Sequence, residues 1–327
     1  MMLLAGAGAV GTTLATFVVA AGREPLRIYA RDKDRAAFAA VASLCVRHAG
    51  GELRAPRPPL ADSLALDGVD YLLIAVKHPQ LDALIDALPP VPRGCTLVST
   101  LNGLSALRRL RERLPHARVV PLTVMFNAQW LAPLQTELTT RPQLIVGSDD
   151  ARLRRALAAP GVTVKRAEGE AAAWGKLLIN LANAICALTH ASFEELLTQR
   201  DLRAIYVAIL DEAVGLLRAS GTAFDLPMPF PYGVYRALLA GRTQLPWHFA
   251  RWRNGLHGRT YPSMVADVEH GRRTEAAELN GEIVRLAARV GAAAPRNAAL
   301  IELVGALGAT QPPAYWTPAA LRARLGV

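Results

Sequence analysis

The chain has 327 residues, of which 52% are hydrophobic and 20% are charged. This balance excludes a disordered chain, and the length exceeds what one hydrophobic core usually serves, so we expect two ordered domains. The formal net charge is +10, but basic residues are scattered along the chain and no basic run is interleaved with aromatic residues. The charge therefore argues against nucleic-acid binding and favours small anionic ligands.

The cysteines and the uncharged N-terminal stretch bear on the cellular compartment. Cys45, Cys95 and Cys186 are widely spaced, and no metal-ligand spacing occurs, which favours reduced thiols in a cytoplasmic protein without a bound metal. The first 22 residues carry no charged side chain and could be mistaken for a signal peptide or membrane anchor. Because no basic residue precedes them and three glycines interrupt them, we expect folded structure and no membrane association.

Short apolar runs alternate with longer patterned stretches through the first half of the chain. Buried strands of parallel sheets are continuously apolar, so this alternation predicts an α/β domain with a Rossmann-type, doubly wound parallel sheet. The predicted strands are residues 1–5, 26–30, 71–76, 96–99 and 119–124, with 144–147 and 162–165 closing the domain.

Long helical patterns replace the strands in the second half, at residues 172–189, 202–221, 264–270 and 274–290. The change predicts a Rossmann-type domain at residues 1–168 and an all-helical C-terminal domain at 169–327. A proline-rich stretch at 225–232 and an aromatic-rich stretch at 247–261 are predicted as loops or short helices over a cleft.

A glycine string follows the first predicted strand and opens the first helix. In a dinucleotide-binding turn, the first glycine permits a tight turn, the second lets the backbone approach the pyrophosphate, and the third lets helix and strand pack closely. The predicted cofactor-binding residues of this turn are Gly6, Ala7, Gly8, Ala9, Val10 and Gly11.

The end of the second strand indicates which dinucleotide binds. An acidic residue there would bind the ribose hydroxyls of NAD, whereas arginine accommodates the 2′-phosphate of NADP. Arg31 comes first and Lys33 follows closely, so we expect NADP, bound as NADPH. Asp32 is the contrary observation, and we interpret it as a cap of the following helix.

Two further polar positions lie at the carboxyl ends of predicted parallel strands, where open α/β sheets bind ligands. Lys77 ends the third strand, and Asn102 with Gly103 follows the fourth. We expect Lys77 and Asn102 to contact the cofactor, and Asn102 also the substrate; the alternative is a rim lysine beside an ordinary Asn-Gly turn.

Three polar side chains stand out in the apolar string WGKLLINLANAICAL: Lys176, Asn180 and Asn183. At 3.6 residues per turn they project within about 60° of one another, forming a narrow stripe that needs polar partners if it is buried. A ligand in the interdomain cleft is one candidate partner, and neighbouring backbone is the other. A lysine desolvated by apolar neighbours can serve as the general acid in ketone reduction.

A third group of polar residues lies in the string PSMVADVEHGRRTEAAELNG. Ser263 stands at a predicted helix start, and Glu275 stands in the first turn of the next helix. Both residue types favour helix N-termini, so capping remains an alternative to a functional role for each.

Taken together, these motifs resemble the ketopantoate reductase family in order and approximate spacing, over residues 3–307. The resemblance rests on the glycine string, Arg31, Lys77, Asn102-Gly103, the Lys176 to Asn180 spacing and the string from Pro262-Ser263-Met264 to Asn280-Gly281. The most specific block contains Asp267, Gly271, Arg272, Thr274 and Glu275.

The resemblance implies NADPH-dependent reduction of 2-dehydropantoate to pantoate, in pantothenate biosynthesis. It implies that Lys176 donates the proton, that Glu275 completes the catalytic site and contacts the cofactor, and that Lys77 and Asn102 lie between nicotinamide and substrate. The substrate-binding residues it implies are Asn102, Lys176, Asn180 and Ser263, to which we add Asn183 from the polar stripe. The expected partner is a small 2-oxo acid, and the expected state is a monomer or homodimer.

Three departures from the family pattern leave the identity of the 2-oxo acid open. Ala184 stands where relatives often carry a second asparagine, Thr260 stands where the substrate loop often has asparagine, and the string TVMFNAQW replaces an expected small-residue segment. Two alternatives also remain. A β-hydroxyacid dehydrogenase would carry a glycine-rich substrate segment that is not found here, and a non-catalytic NADPH sensor would need neither Lys176 nor Glu275.

Overall fold

The computed structural model describes residues 1–254, 260–309 and 312–327. The chain divides into two compact units, Met1–Ala172 and Ala173–Val327. The sequence-based boundary at residue 168 falls four residues earlier than this division. The first unit is a mixed α/β structure and the second is helical in its described residues, so the predicted fold class is confirmed.

An eight-stranded sheet forms the centre of the first unit. Its strands are β1 Met2–Ala5, β2 Leu26–Tyr29, β5 Leu60–Ala61, β6 Tyr71–Ile74, β7 Thr96–Ser99, β8 Arg118–Val124, β11 Gln143–Val146 and β12 Thr163–Arg166. They lie in the order β12-β11-β8-β7-β6-β1-β2-β5. All neighbouring strands from β8 to β5 in this order are parallel, whereas β11 pairs antiparallel with β8 and parallel with β12.

The central strands form because most of their side chains are apolar on both faces of the sheet. All four residues of β1, of β6 and of β7 are buried, as expected where helices cover both sides of a parallel sheet. In-register pairing of β1 with β2 and with β6 brings the carboxyl ends of the three strands to one edge of the sheet. That edge carries the loops after Ala5, Tyr29 and Ile74.

Five helices and one short 3-10 turn accompany the strands of the first unit. The first helix ends at Gly22, whose left-handed backbone (φ 63°) lets its amide bond to the carbonyls of Val18 and Val19, a common way to end a helix. The helices are α1 Ala9–Ala21, α2 Asp32–Ala39, α3 Leu81–Ala87, α4 Ser105–Arg113 and α5 Ala151–Leu157, and the 3-10 turn is His78–Gln80.

A second sheet of four strands, absent from the sequence-based prediction, packs against α1. The hydroxyls of Thr13 on α1 and Thr136 on the sheet are 3.0 Å apart and both residues are fully buried. The strands are β3 Ser43–His48, β4 Gly51–Pro56, β9 Ala128–Ala132 and β10 Gln135–Leu138, in the order β4-β3-β10-β9. The uncharged N-terminal stretch is therefore β1 followed by a helix that two sheets bury.

The second unit consists of helices in its described residues, beginning with the apolar pair α6 and α7. The stretch 171–189 is, among the described residues, the one long and apolar enough to cross a membrane, yet 72% of it is buried within the fold. The helices are α6 Ala171–Asn180, α7 Ala182–Thr189, α8 Phe193–Thr198, α9 Arg200–Ala219, α10 Tyr232–Ala240, α11 Leu245–Asn254, α12 Ser263–Glu269, α13 Ala276–Arg289, α14 Pro295–Gly308 and α15 Pro318–Arg324.

Two sequence-based predictions for this half can be compared with the described residues. The predicted helix at 172–189 is confirmed as the helical stretch 171–189, which divides into α6 and α7 at Leu181. Leu181 keeps a right-handed helical backbone (φ −58°, ψ −23°), and its amide donates to the Leu177 carbonyl at 3.0 Å. In the aromatic-rich stretch, the predicted short helix is present as α11 up to Asn254, and residues 255–259 lie outside the described part of the chain.

Candidate active site

The glycine turn has the backbone geometry that the sequence predicts. Gly6 has φ 102°, and a Cβ there would lie 2.7 Å from the backbone of Ala75 and Val76 at the end of β6. A Cβ at Gly11 would lie 1.7 Å from the carbonyl oxygen of Gly6. Any side chain at either position would force the turn away from the sheet, so these two glycines let the strand end, the turn and α1 pack together.

The residues around Gly8 form an open cradle at the start of α1. Gly8 is exposed, and a Cβ built there meets no atom of the described structure within 4 Å. Gly8 is the N-cap of α1, with no side chain among the described residues capping it and no acidic residue in the first turn. The first amides of α1 and the positive end of its dipole thus face open space, an arrangement that suits a pyrophosphate. Ala7, Ala9 and Val10 complete this turn.

Arg31 stands at the end of β2, as predicted, and its guanidinium is accessible. Its side chain is 54% exposed and pairs with Asp34, with the Nε to Oδ2 distance 2.8 Å. Lys33 is also exposed. The interpretation of Asp32 as a helix cap is wrong, because Arg31 occupies the N-cap position of α2 and Asp32 is the first helical residue.

Lys77 and Asn102 follow neighbouring strands, β6 and β7, and a buried histidine connects their loops. Lys77 is exposed, and the adjacent His78 is buried with its Nε2 2.9 Å from the carbonyl oxygen of Asn102. Since that carbonyl accepts, Nε2 carries the proton in this contact. The Lys77 amide donates to the Gln80 side chain at 3.1 Å. His78 carries no sequence signal that could have predicted this role, because a histidine following a strand belongs to no distinctive pattern.

The polar stripe lies on the accessible face of α6 and α7. Lys176, Asn180 and Asn183 are half-buried, whereas most of the surrounding apolar side chains are fully buried. The rest of α6 and α7 is buried in the core, so a ligand can contact these helices only at this accessible face. The polar side chains there avoid the cost of complete burial and can bind a ligand directly.

Apolar surroundings and one carboxylate set the protonation of Lys176. Burial of the ammonium lowers the pKa of Lys176 from 10.5 to about 8, and the Glu275 carboxylate opposes this by favouring the charged form. The structure thus brings Lys176 and Glu275 near enough to interact. A lysine with this pKa is mainly protonated at neutral pH and gives up its proton readily, as a general acid should.

Neither the Ser263 nor the Glu275 side chain forms a capping hydrogen bond in the described structure. Pro262 holds the N-cap position of α12, so the exposed Ser263 is the first helical residue. Glu275 holds the N-cap position of α13 without a side-chain capping hydrogen bond, but its carboxylate lies where the helix dipole favours negative charge. The roles of both residues in the site remain predictions.

Comparisons with known proteins agree with this arrangement. Residues 2–151 match the family model "Ketopantoate reductase PanE/ApbA", and residues 169–308 match the model of its C-terminal domain. A 2-dehydropantoate 2-reductase of Mycobacterium tuberculosis is 28% identical over 93% of this chain and 96% of its own length. The crystal structure of a PanE/ApbA family ketopantoate reductase from Ralstonia eutropha JMP134 has a TM-score of 0.77 and 25% identity, covering 94% of this chain and 99% of the other.

Some structural neighbours carry a different enzyme name. D-mandelate dehydrogenase, in a ternary structure with NADH and anilino(oxo)acetate, has a TM-score of 0.73 at 19% identity and covers the whole of both chains. At this identity the likeness concerns the fold alone. The two family models together span most of the chain. The chain therefore belongs to the ketopantoate reductase family, whose members are nicotinamide-dependent oxidoreductases acting on CH–OH groups.

Proposed function

We propose that this protein reduces 2-dehydropantoate, or a closely similar 2-oxo acid, to the 2-hydroxy acid with NADPH, as in pantothenate biosynthesis. The observation that carries the proposal is Lys176, a half-buried lysine with a pKa of about 8 on the accessible face of a core helix. Such a group is suited to protonating the oxygen of a ketone as it is reduced.

The residues of the first unit fit a dinucleotide. The open space at Gly8 and the uncapped start of α1 accept a pyrophosphate, and Gly6 and Gly11 hold the turn against β6. When bound, the reduced nicotinamide supplies the hydride. We assign Lys77 and Asn102, which follow β6 and β7, to the vicinity of the nicotinamide.

NADPH is proposed over NADH because Arg31 and Lys33 offer two exposed cations beside the end of β2. Charge-assisted hydrogen bonds to a 2′-phosphate contribute roughly 1.5–3 kcal/mol each. The pairing of Arg31 with Asp34 is exposed and is easily exchanged for a phosphate partner, since such surface pairs contribute little stability.

The second unit is proposed to supply the proton and to hold the substrate. Lys176 donates its proton to the oxygen that gains negative charge during reduction, and Glu275 keeps enough positive charge on Lys176 for it to start the reaction protonated. Asn180, Asn183 and Ser263 are accessible amide and hydroxyl groups that suit the carboxylate and hydroxyl of a small hydroxy acid. Asn102 is a further proposed substrate-binding residue.

A steady-state screen tests the proposal. We expect kcat/KM to be highest for 2-dehydropantoate among a set of 2-oxo acids, and higher with NADPH than with NADH. Equal values for the two cofactors would refute the role of Arg31. A preference for phenylglyoxylate with NADH would instead favour a reaction like that of the neighbour named D-mandelate dehydrogenase. No turnover with any 2-oxo acid would favour the NADPH-sensor alternative.

We further propose that the enzyme works in the cytoplasm, as a monomer or homodimer, on a small-molecule substrate and without nucleic acid or membrane. The three cysteines are free and buried, as is usual for proteins of reducing compartments. Oligomeric state is checked by sedimentation of the purified full chain.

A further inference from the structure

The segment that joins α9 to α10 crosses directly over the helix of the candidate catalytic lysine. A methyl group at Gly175, the residue before Lys176, would lie 1.7 Å from the Asp225 carbonyl oxygen and 3.0 Å from the Leu226 amide nitrogen. The backbone of residues 222–231, here named the crossing segment, is therefore in contact with α6 at a point where only glycine fits.

The crossing point borders the accessible face of α6. At 100° per residue, the half-buried residues Ala173 and Ile179 lie about 60° to either side of Lys176. Gly175 lies about 100° from Lys176, on the side of Ile179, and is buried. The crossing segment thus forms one wall of the strip that carries Lys176 and Asn180.

The composition of the crossing segment makes this wall stiff and apolar. Residues 226–231 read LPMPFP, without a charged side chain and with proline at every second position. Proline fixes φ near −65° and removes the backbone N–H donor. A wall of this kind offers little hydrogen bonding and adapts poorly to the shape of what lies against it.

Both ends of the crossing segment are anchored. The Thr222 amide donates to the Leu217 carbonyl at 2.9 Å. Towards the other end, Met228 and Phe230 line an apolar cavity of about 30 Å³, and the Phe230 and Phe249 ring centroids are 5.2 Å apart. Pro231 then forms the N-cap of α10. These contacts fix the two ends of the crossing segment, and the contact with Gly175 fixes its position on α6.

We infer that the crossing segment selects the substituent on the carbonyl carbon of the 2-oxo acid, with Leu226 as the specificity-determining residue. This rests on the proposed function, in which Lys176 protonates the substrate oxygen. Polar groups of the stripe bind the oxygens that all 2-oxo acids share, and the apolar wall meets the part in which they differ. A fixed apolar wall favours a compact branched aliphatic substituent over a flat aromatic ring.

Variants of Leu226 test the wall in both directions. Leu226→Ala widens the site and Leu226→Phe narrows it, while Val234→Ala, at a 46% exposed position on α10, is the matched control. The measured quantity is kcat/KM for phenylglyoxylate and for 3-methyl-2-oxobutanoate, each divided by kcat/KM for pyruvate. Pyruvate carries only a methyl substituent and therefore reports on the shared chemistry.

We expect Leu226→Ala to raise the phenylglyoxylate ratio about tenfold, and Leu226→Phe to lower both ratios by a similar factor. The control should leave both ratios unchanged. Should the Leu226 variants change all three substrates by the same factor, the segment would not contact the substituent and the inference would be overturned. Leu226→Val, which removes one methylene, serves in place of Leu226→Ala if the latter does not fold.

A binding measurement separates this inference from the proposed function. Titration calorimetry of the same 2-oxo acids, with NADP⁺ present, gives Kd ratios that do not depend on turnover. A wild-type protein that binds these acids but reduces none would refute the proposed function, while a shift of its Kd ratios in the Leu226 variants would still support the wall. Kd ratios that stay constant in those variants would overturn the wall even if turnover is normal.

Discussion

Replacement of Lys176 by methionine should make the protein more stable and almost inactive. Lowering the pKa of Lys176 from 10.5 to about 8 means that keeping the protonated side chain in the folded state costs roughly 3 kcal/mol. Methionine has a similar length without the charge. Because the substitution also leaves Glu275 without its favourable charge interaction, we expect a net gain of roughly 1–3 kcal/mol in the free energy of unfolding at neutral pH.

The gain should depend on pH in a defined direction. Below about pH 8 the lysine is protonated in both states, and the folded wild-type protein bears the full cost. Between about pH 8 and pH 10.5 the folded state loses this proton before the unfolded state does, so wild-type stability rises with pH. The advantage of Lys176→Met should therefore shrink over this interval.

Thermal melts and kinetics of the same variant check both halves of this prediction. A gain of this size raises Tm by about 1.5 °C per kcal/mol at this chain length, and loss of the general acid should lower kcat by about 10²–10⁴-fold. Lys165→Met, at an exposed position on β12, is the control and should change neither. A Lys176→Met protein that melts lower than wild type near neutral pH would refute the reasoning, as would a gain that is constant with pH.

The remaining predictions concern the cofactor turn and the other candidate site residues. Gly8→Ala should leave Tm nearly unchanged but raise the Kd for NADPH about tenfold or more. Gly11→Ala should lower both Tm and the affinity for NADPH, because its Cβ would lie 1.7 Å from a backbone oxygen. Thermal melts and cofactor titrations distinguish the two variants. Arg31→Ala should lower kcat/KM with NADPH about tenfold or more and leave kcat/KM with NADH unchanged. Ser263→Ala should lower kcat/KM without lowering Tm, since the hydroxyl caps no helix in the described structure, and an unchanged kcat/KM would remove it from the site. Glu275→Gln should lower the pKa of Lys176 by removing the carboxylate that favours its charged form, so the alkaline limb of the kcat/KM profile should move to lower pH.

The central strands of the large sheet were predictable because burial on both faces makes them largely apolar runs. The glycine string was equally clear, since its spacing reflects a backbone requirement that Gly6 and Gly11 meet in the structure. Most predicted strand bounds differ from the observed ones by one or two residues. Pairing at the strand ends depends on neighbouring strands, which an isolated run does not encode.

The second sheet was not predictable in the same way. β3 pairs in parallel with β10, and the two strands lie far apart in the sequence. The exposed Trp130 and Leu131 on β9 also break the alternation that would mark a half-buried strand. The contact of Gly175 with residue 225 was equally hidden, because a glycine within a helix does not reveal which backbone will lie against it.

Because α1 is buried between two sheets, the β1-α1-β2 segment of this protein cannot be transferred to another protein by itself. Thr13 faces Thr136 on the second sheet, and the ring of Phe17 packs edge-on against Phe126 at 5.9 Å. A β1-α1-β2 fragment transplanted into another scaffold would expose an uncharged helix to water, where it would favour aggregation. A portable module would have to include residues 43–56 and 128–138 as well. Because β9 and β10 lie far downstream of α1 in the sequence, α1 should gain its full protection from hydrogen exchange only after the chain has been synthesised beyond β10.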